Sequence, residues 1–268
     1  MESTTVSTWQ KFAEITILTN DLDPSYEFLY KARELKGEEW AERFIVHYLC
    51  FYDLGGAVQC ADKTTASTFW EYMFDGYSSF PRGTERRHTR GALGMGFLTN
   101  LSLHGSPHSI WTTMWAPSYT ELVKVFKDKF AGCGFGAYFI WKVLDFQERV
   151  WGRPISLSLE EAVKHCPDEP RKCAGILWPH LPFVEALEKV TNYIHRMPAP
   201  PSFNRPCSYQ EAETVLCMLK GYFITKTHTI GDDIDSKYLQ LHRWPELLEL
   251  LPPKENWSKY ERCTLVAS

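Results

Sequence analysis

The stretch Leu122-Val123-Lys124-Val125-Phe126-Lys127-Asp128-Lys129-Phe130-Ala131-Gly132-Cys133-Gly134-Phe135-Gly136-Ala137-Tyr138-Phe139-Ile140-Trp141-Lys142-Val143-Leu144-Asp145-Phe146 decides the fold. It reads as a helix, a tight glycine hairpin and a second helix. Gly132 and Gly134 can take the positive φ that a hairpin requires, and the backbone N–H groups it exposes open onto the next helix. Those groups, with the helix dipole behind them, suit a phosphate. Phe139, Ile140, Val143, Leu144, Val150 and Trp151 form the apolar stripe of the second helix, so Lys142, Asp145, Glu148 and Arg149 are expected to face elsewhere. The plainer reading, a glycine loop that only joins two packed helices, stands beside this one.

Outward from the hairpin the pattern is helix after helix. Residues 26–35 and 38–62 carry apolar side chains three and four apart, among them Trp40, Phe44, Ile45, Tyr48, Leu49 and Tyr52. Shorter helices are predicted over 67–74, 91–102 and 119–130, the last opened by Pro117-Ser118, and another over 208–222. Only Tyr222-Phe223-Ile224-Thr225 looks strand-like, and it could equally end a helix. Met197-Pro198-Ala199-Pro200-Pro201 opens a linker-like stretch over 197–206, and Pro252-Pro253 begins a polar tail. The expected architecture is all-α: one helical domain over 1–250 and a tail over 251–268.

Composition narrows the class. Hydrophobic residues make up 44% and charged residues 23% of 268, ordinary for a globular domain. No apolar run of about 18 residues suggests a membrane span, and the N-terminal Met1-Glu2-Ser3-Thr4-Thr5 lacks a secretory pattern. The protein is expected to stay in the cytoplasm where it is made. Eight cysteines include no C-x-x-C pair, which argues for reduced, structural thiols. Net charge is -4, so any contact with nucleic acid must rest on a local basic surface. One candidate is the run Arg82-Gly83-Thr84-Glu85-Arg86-Arg87-His88-Thr89-Arg90, on a Gly/Ser/Pro-rich stretch.

The hairpin resembles the helix–hairpin–helix of DNA glycosylases, which grips one phosphate without reading sequence. Two departures speak against base excision. Gly136 stands where bifunctional glycosylases carry their lysine, and the segment after the second helix, Pro154-Ile155-Ser156-Leu157-Ser158-Leu159-Glu160-Glu161, lacks the usual Val-Asp pattern. Ser158 followed by Glu161 also fits a capping box. Cys166 and Cys173 have six residues between them, but no four-cysteine iron–sulfur pattern follows.

A wider series of blocks resembles the amino acid:DNA transferases of phages, relatives of the α-glutamyl/putrescinyl-thymine pyrophosphorylases. These blocks are His47-Tyr48-Leu49-Cys50-Phe51-Tyr52-Asp53-Leu54-Gly55, the arginine run, Gly132 to Lys142, Pro167-Asp168-Glu169-Pro170-Arg171-Lys172, Glu213 to Lys220, and Gly231-Asp232-Asp233-Ile234-Asp235. They run in order from about Tyr26 to Leu241. The resemblance implies a phage enzyme acting in the cytoplasm of the infected bacterium on double-stranded DNA. Its substrate base would be 5-hydroxymethyluracil, pyrophosphorylated by a separate kinase. The amino group of a free amino acid, glycine or similar, would displace the pyrophosphate. A DNA glycosylase or lyase, and a non-catalytic DNA-binding module, are the alternatives.

Such chemistry sets requirements. The base must leave the stack for a pocket beside an aromatic or apolar wedge. The leaving pyrophosphate needs cations and N–H donors, for which Arg82, Arg86, Arg87, His88, Arg90, Gly132, Gly134, Gly136, Lys226 and His228 are candidates. The incoming ammonium must lose a proton, and the catalytic candidates are Asp53, Asp145, Glu213 and Lys220. Asp53 could equally cap a helix. Glu213 and Lys220, seven apart, are expected on one helix face. No cofactor is expected to be required, although Asp232 and Asp233 could hold a Mg2+ ion with the pyrophosphate.

Overall fold

The computed structural model describes residues 2–83, 91–133, 135–225 and 229–255. Its elements are α1 (Glu2–Leu18), α2 (Pro24–Lys36), α3 (Glu38–Phe51), α4 (Leu54–Lys63), α5 (Phe69–Asp75), α6 (Gly91–Ser102) and α7 (Pro107–Thr113). There follow α8 (Tyr119–Lys129), α9 (Ala137–Asp145), α10 (Leu159–His165), α11 (Asp168–Leu177), α12 (Phe183–Ile194), α13 (Tyr209–Leu219) and α14 (Asp232–Gln240). A π-helical turn, Phe146–Val150, continues α9, and another, Lys220–Thr225, continues α13. Among the described residues there is no strand, only two isolated bridges. The all-α expectation therefore holds.

The helices begin where side chains satisfy their orphan N–H groups. Asp23 accepts from Ser25 N with Pro24 in the first turn, and Ser106 and Ser118 cap α7 and α8 in the same way. Ser158 with Glu161, and Ser208 with Glu211, form complete capping boxes. Glu161 is thus occupied as a cap, as the plainer reading of that segment had it.

Two expectations need correction and one open reading is resolved. The helix predicted over 38–62 is two helices, because Tyr52 adopts a left-handed conformation (φ 55°) and Asp53 then caps α4. Of the two readings of Tyr222–Thr225 the helix end is the one formed, as the π turn after α13. The linker-like 197–206 is packed: Ala199 is buried and Pro200 O accepts a hydrogen bond from buried Arg149.

The quoted stretch does form two helices, α8 and α9, joined through Phe130–Gly136. Gly132 has φ +80°, a conformation costly for any residue with a Cβ, whereas Gly136 is extended and serves as the N-cap position of α9. Phe126, Phe130, Phe135 and Phe139 pack edge-on and stacked around the turn, Phe135 lying 3.7 Å from Phe139 between ring centroids.

α3 is buried along almost its whole length and packs on α2, α4 and α7. α13 organises a second layer with α1, α11 and α12. α9 and its π turn lie against α2 and carry Phe139, Trp141, Val143 and Leu144 into the core.

Candidate active site

Six segments meet at a cavity of about 380 Å3. Asp23 comes from the cap of α2, Tyr52 and Asp53 from the α3–α4 break, and Arg82 and Gly83 from the start of the arginine run. α9 supplies Tyr138 and Lys142, α13 supplies Glu213 and Cys217, and α14 supplies Asp233 and Lys237. Each of the last three pairs is spaced i, i+4, so each helix turns one short edge towards the same space.

The cations are held rather than dangling. Lys142 Nζ donates to Asp23 Oδ2 at 3.2 Å and to the Tyr26 hydroxyl at 3.0 Å, with Asp145 Oδ2 at 3.8 Å. Burial penalises its charge, but Tyr26, Tyr52, Tyr138 and Asp23 outweigh that and keep the ammonium protonated well above the usual range. Lys237 Nζ donates to the Tyr48 hydroxyl at 3.3 Å and lies 5.7 Å from the ring centroids of both Tyr48 and Tyr52. Its pKa is also raised, burial being outweighed by Tyr48, Asp23 and Asp233. Arg82 donates to Phe80 O and Tyr77 O and covers the rings of Phe51 and Tyr77.

The carboxyls differ in state. Burial pushes Asp23 up, but Lys142, Lys237 and Arg149 bring it below the ordinary value, so it is ionised. Burial raises Glu213 to about 7, with Lys142 opposing, so this carboxyl exchanges its proton near neutrality. Burial also raises Asp53, against the hydrogen bond its Oδ1 accepts from Gly56 N at 2.7 Å. Asp53 is therefore both the cap of α4 and part of the cavity wall.

Of the residues singled out from sequence, Asp53, Glu213, Arg82 and Asp233 come together here. Asp145 does not line the cavity. It is fully buried beneath it, accepting from the Tyr26 hydroxyl at 2.9 Å, and burial raises its carboxyl to about 6. Lys220 pairs with Glu169 and, unlike Glu213, does not line the cavity. Both oxygens of Asp232 accept from Thr229, from N and Oγ1 at 2.6 Å each. Only Asp233 of that pair reaches the cavity, and among the described residues no three His, Cys, Asp or Glu side chains gather as metal ligands. Gly132 and Gly136 lie at the turn before Tyr138. Arg86, Arg87, His88, Arg90, Gly134, Lys226 and His228 lie outside the described residues. The arginine run nevertheless departs from the cavity wall, where Gly83 N donates to Phe51 O at 2.9 Å.

Lys142, Asp145 and Arg149 were expected to face away from the core and are buried instead, and Glu148 is mostly so. The π turn adds a residue to the helical repeat and turns Glu148 and Arg149 inward, onto Arg205 and Glu211. Sequence reading passed over Asp23, Tyr138, Lys142 and Lys237 as site residues. Lys142 had a signal, a lysine within the apolar run Phe139-Ile140-Trp141-Lys142-Val143-Leu144. A second, more open cleft of about 860 Å3 shares Asp53 and Gln240 with the cavity.

No protein-family model matches the chain. Curated proteins do, two phage transferases among them. One is the putrescinyltransferase of Delftia phage PhiW-14, 29% identical over 258 residues, covering 91% of this chain and 81% of that protein. The other is the glycinyltransferase of Pseudomonas phage PaMx11, 26% identical over 250 residues, covering 80% of this chain and 83% of that protein.

Proposed function

We propose that this chain, a transferase of the phage kind represented by those two relatives, joins a small amine to a modified pyrimidine of double-stranded DNA. The acceptor in this reading is a pyrophosphorylated 5-hydroxymethyluracil, and the donor is an amino acid such as glycine. The donor nitrogen forms a bond to the 5-methylene carbon. The carbon–oxygen bond to pyrophosphate breaks, and the leaving group takes its electron pair. The proton of the donor ammonium goes to Glu213, and Asp53 lines the same cavity.

The observation that carries this reading is one cavity combining buried, charged Lys142 and Lys237 with Glu213, a carboxyl poised near neutrality. The ammoniums and Arg82 suit charge that grows on the departing pyrophosphate, in surroundings where such contacts are strong. Glu213 suits a proton acceptor at physiological pH. Tyr52 and Tyr138, whose hydroxyls lie 3.4 Å apart, offer ring surfaces to a base taken out of the stack. The scheme balances without an organic cofactor, and a Mg2+ ion would arrive with the pyrophosphate rather than on a site of its own. The reaction takes place in the cytoplasm of the infected bacterium.

The test is nucleoside mass spectrometry after incubating duplexes carrying pyrophosphorylated 5-hydroxymethyluracil with glycine, glutamate or putrescine. The expected result is a donor-dependent adduct on the base with release of pyrophosphate. Abasic sites would instead identify a glycosylase. Salt-sensitive binding with every base unchanged would identify a binding module.

A further inference from the structure

Residues 91–120 contain no Asp, Glu, Lys or Arg, in a chain with 33 acidic and 29 basic residues. α6 opens this uncharged stretch, and much of it is not turned inward. Leu93 is 85% exposed and Leu103, just past the helix end, is 79% exposed. Gly96 and Asn100 lie between them at spacings of three, four and three, so the four positions form one ridge along the helix. A Cβ placed on Gly96 would meet nothing within 4 Å.

The ridge is fixed to the glycine turn. Asn100 Nδ2 donates to Gly132 O at 3.1 Å, and Phe97 packs edge-on against Phe135 at 5.1 Å. His104 lies 4.7 Å from Phe130 between ring centroids. Three residues beyond Phe135, Tyr138 lines the reaction cavity. The ridge, the turn and the cavity wall therefore form one connected unit. Before the turn α8 exposes Lys124, Lys127 and Lys129 against Glu121 and Asp128, and in sequence Arg86, Arg87, His88 and Arg90 directly precede α6. An uncharged, acid-free ridge beside the α8 lysines complements a polyanion whose backbones flank an apolar base stack.

We propose that α6 is the ridge that lies against duplex DNA, and that Leu93 enters the base stack when the target base leaves it. An apolar side chain inserted at a base step replaces the stacking surface that the departing base takes away. Leu93 fits that role because it stands in the first turn of α6, on the exposed ridge, with its side chain open to solvent. The inference rests on the DNA reading above, but its readout does not depend on transfer.

The probe is a duplex with 2-aminopurine 3′ to a 5-hydroxymethyluracil, whose fluorescence rises when the neighbouring stack opens. Wild-type protein should raise it. Leu93→Ala should lose most of that rise, at least threefold, while its affinity for the duplex and its melting temperature stay within error. Leu93→Phe should restore it. On pyrophosphorylated substrate Leu93→Ala should transfer at the wild-type rate to single strands and about tenfold slower to duplexes, because only the duplex must be opened. Equal fluorescence for wild type and Leu93→Ala, or an equal loss of transfer on single and double strands, overturns the proposal. So does a wild-type dimer in sedimentation that Leu93→Asp dissociates, since a second copy would then cover the ridge. If no variant transfers but the fluorescence still separates wild type from Leu93→Ala, the transferase chemistry fails and the wedge stands.

Discussion

Glu213 is the side chain whose titration has the clearest consequence for both stability and rate. Its proton is held to about 7, against an ordinary 4.5, so between those values the folded protein binds more protons than the unfolded chain. That contribution to stability is present at low pH and is lost as pH rises through about 7. Glu213→Gln removes the loss. Its melting temperature should match wild type near pH 4 and exceed it at pH 8, by an amount worth up to about 3 kcal/mol. The same variant should slow transfer by about 10²-fold and flatten the rise of rate with pH between 6 and 8. Asp53 offers a second separation of roles. Asparagine can still accept from Gly56 N, so Asp53→Asn should keep its melting temperature while transferring more slowly, the deficit shrinking at high pH as free amine forms. Asp53→Ala should lose the cap as well, at about 1 kcal/mol. An Asp53→Asn protein that is unstable but fully active per folded molecule would leave Asp53 only its capping role.

At the scale of elements, the helices that place the site are sharply constrained where α4 meets α14. A Cβ on Gly55 would lie 2.3 Å from Gln240 O, so the two helices touch backbone to backbone. Gln240 Oε1 accepts from Leu54 N at 2.8 Å across the same seam. Gly55→Ala should therefore lower stability by about 1–3 kcal/mol by thermal melting, and lower transfer per folded molecule, because Asp53 and Lys237 sit on either side of that contact. Much of the element pattern was legible in the sequence: the glycine turn, the Ser158 capping box and the apolar periodicities all express local rules. The break at Tyr52 was not, because a non-glycine residue in a left-handed conformation leaves no compositional mark. Nor was the inward set at Lys142, Asp145 and Arg149. A 3.6-residue repeat puts charges opposite an apolar stripe, and the prediction held no π turn and no buried partners such as Asp23 and Glu211. Asp53 could be picked out because it follows an apolar run, and Glu213 because it stands in a block that carries the family resemblance. Asp23 and Lys237 join them only through tertiary convergence from opposite ends of the chain.

For the whole molecule, the net charge of -4 means that the DNA contact we propose would be made by one face, not by the protein as a body. No described helix is long and apolar enough to cross a membrane. Binding to duplex should weaken linearly in log salt, with a slope of about 0.9 per phosphate neutralised. That slope assigns the arginine run. If Arg86 and Arg87 hold the leaving pyrophosphate, replacing both with alanine should abolish turnover and leave the slope of unmodified DNA nearly unchanged. A slope reduced by about 2 with turnover retained at low salt would make them phosphate-backbone contacts instead. Cys217 gives the same molecule a built-in gauge. Among the described cysteines it is the exposed one, yet burial and neighbouring Glu213 push its thiol up to about 12. At pH 7 it is almost wholly protonated and reacts slowly with an alkylating reagent. Because it stands on the wall that substrate would cover, its labelling rate becomes a clock that an occupant stops, readable without any turnover at all.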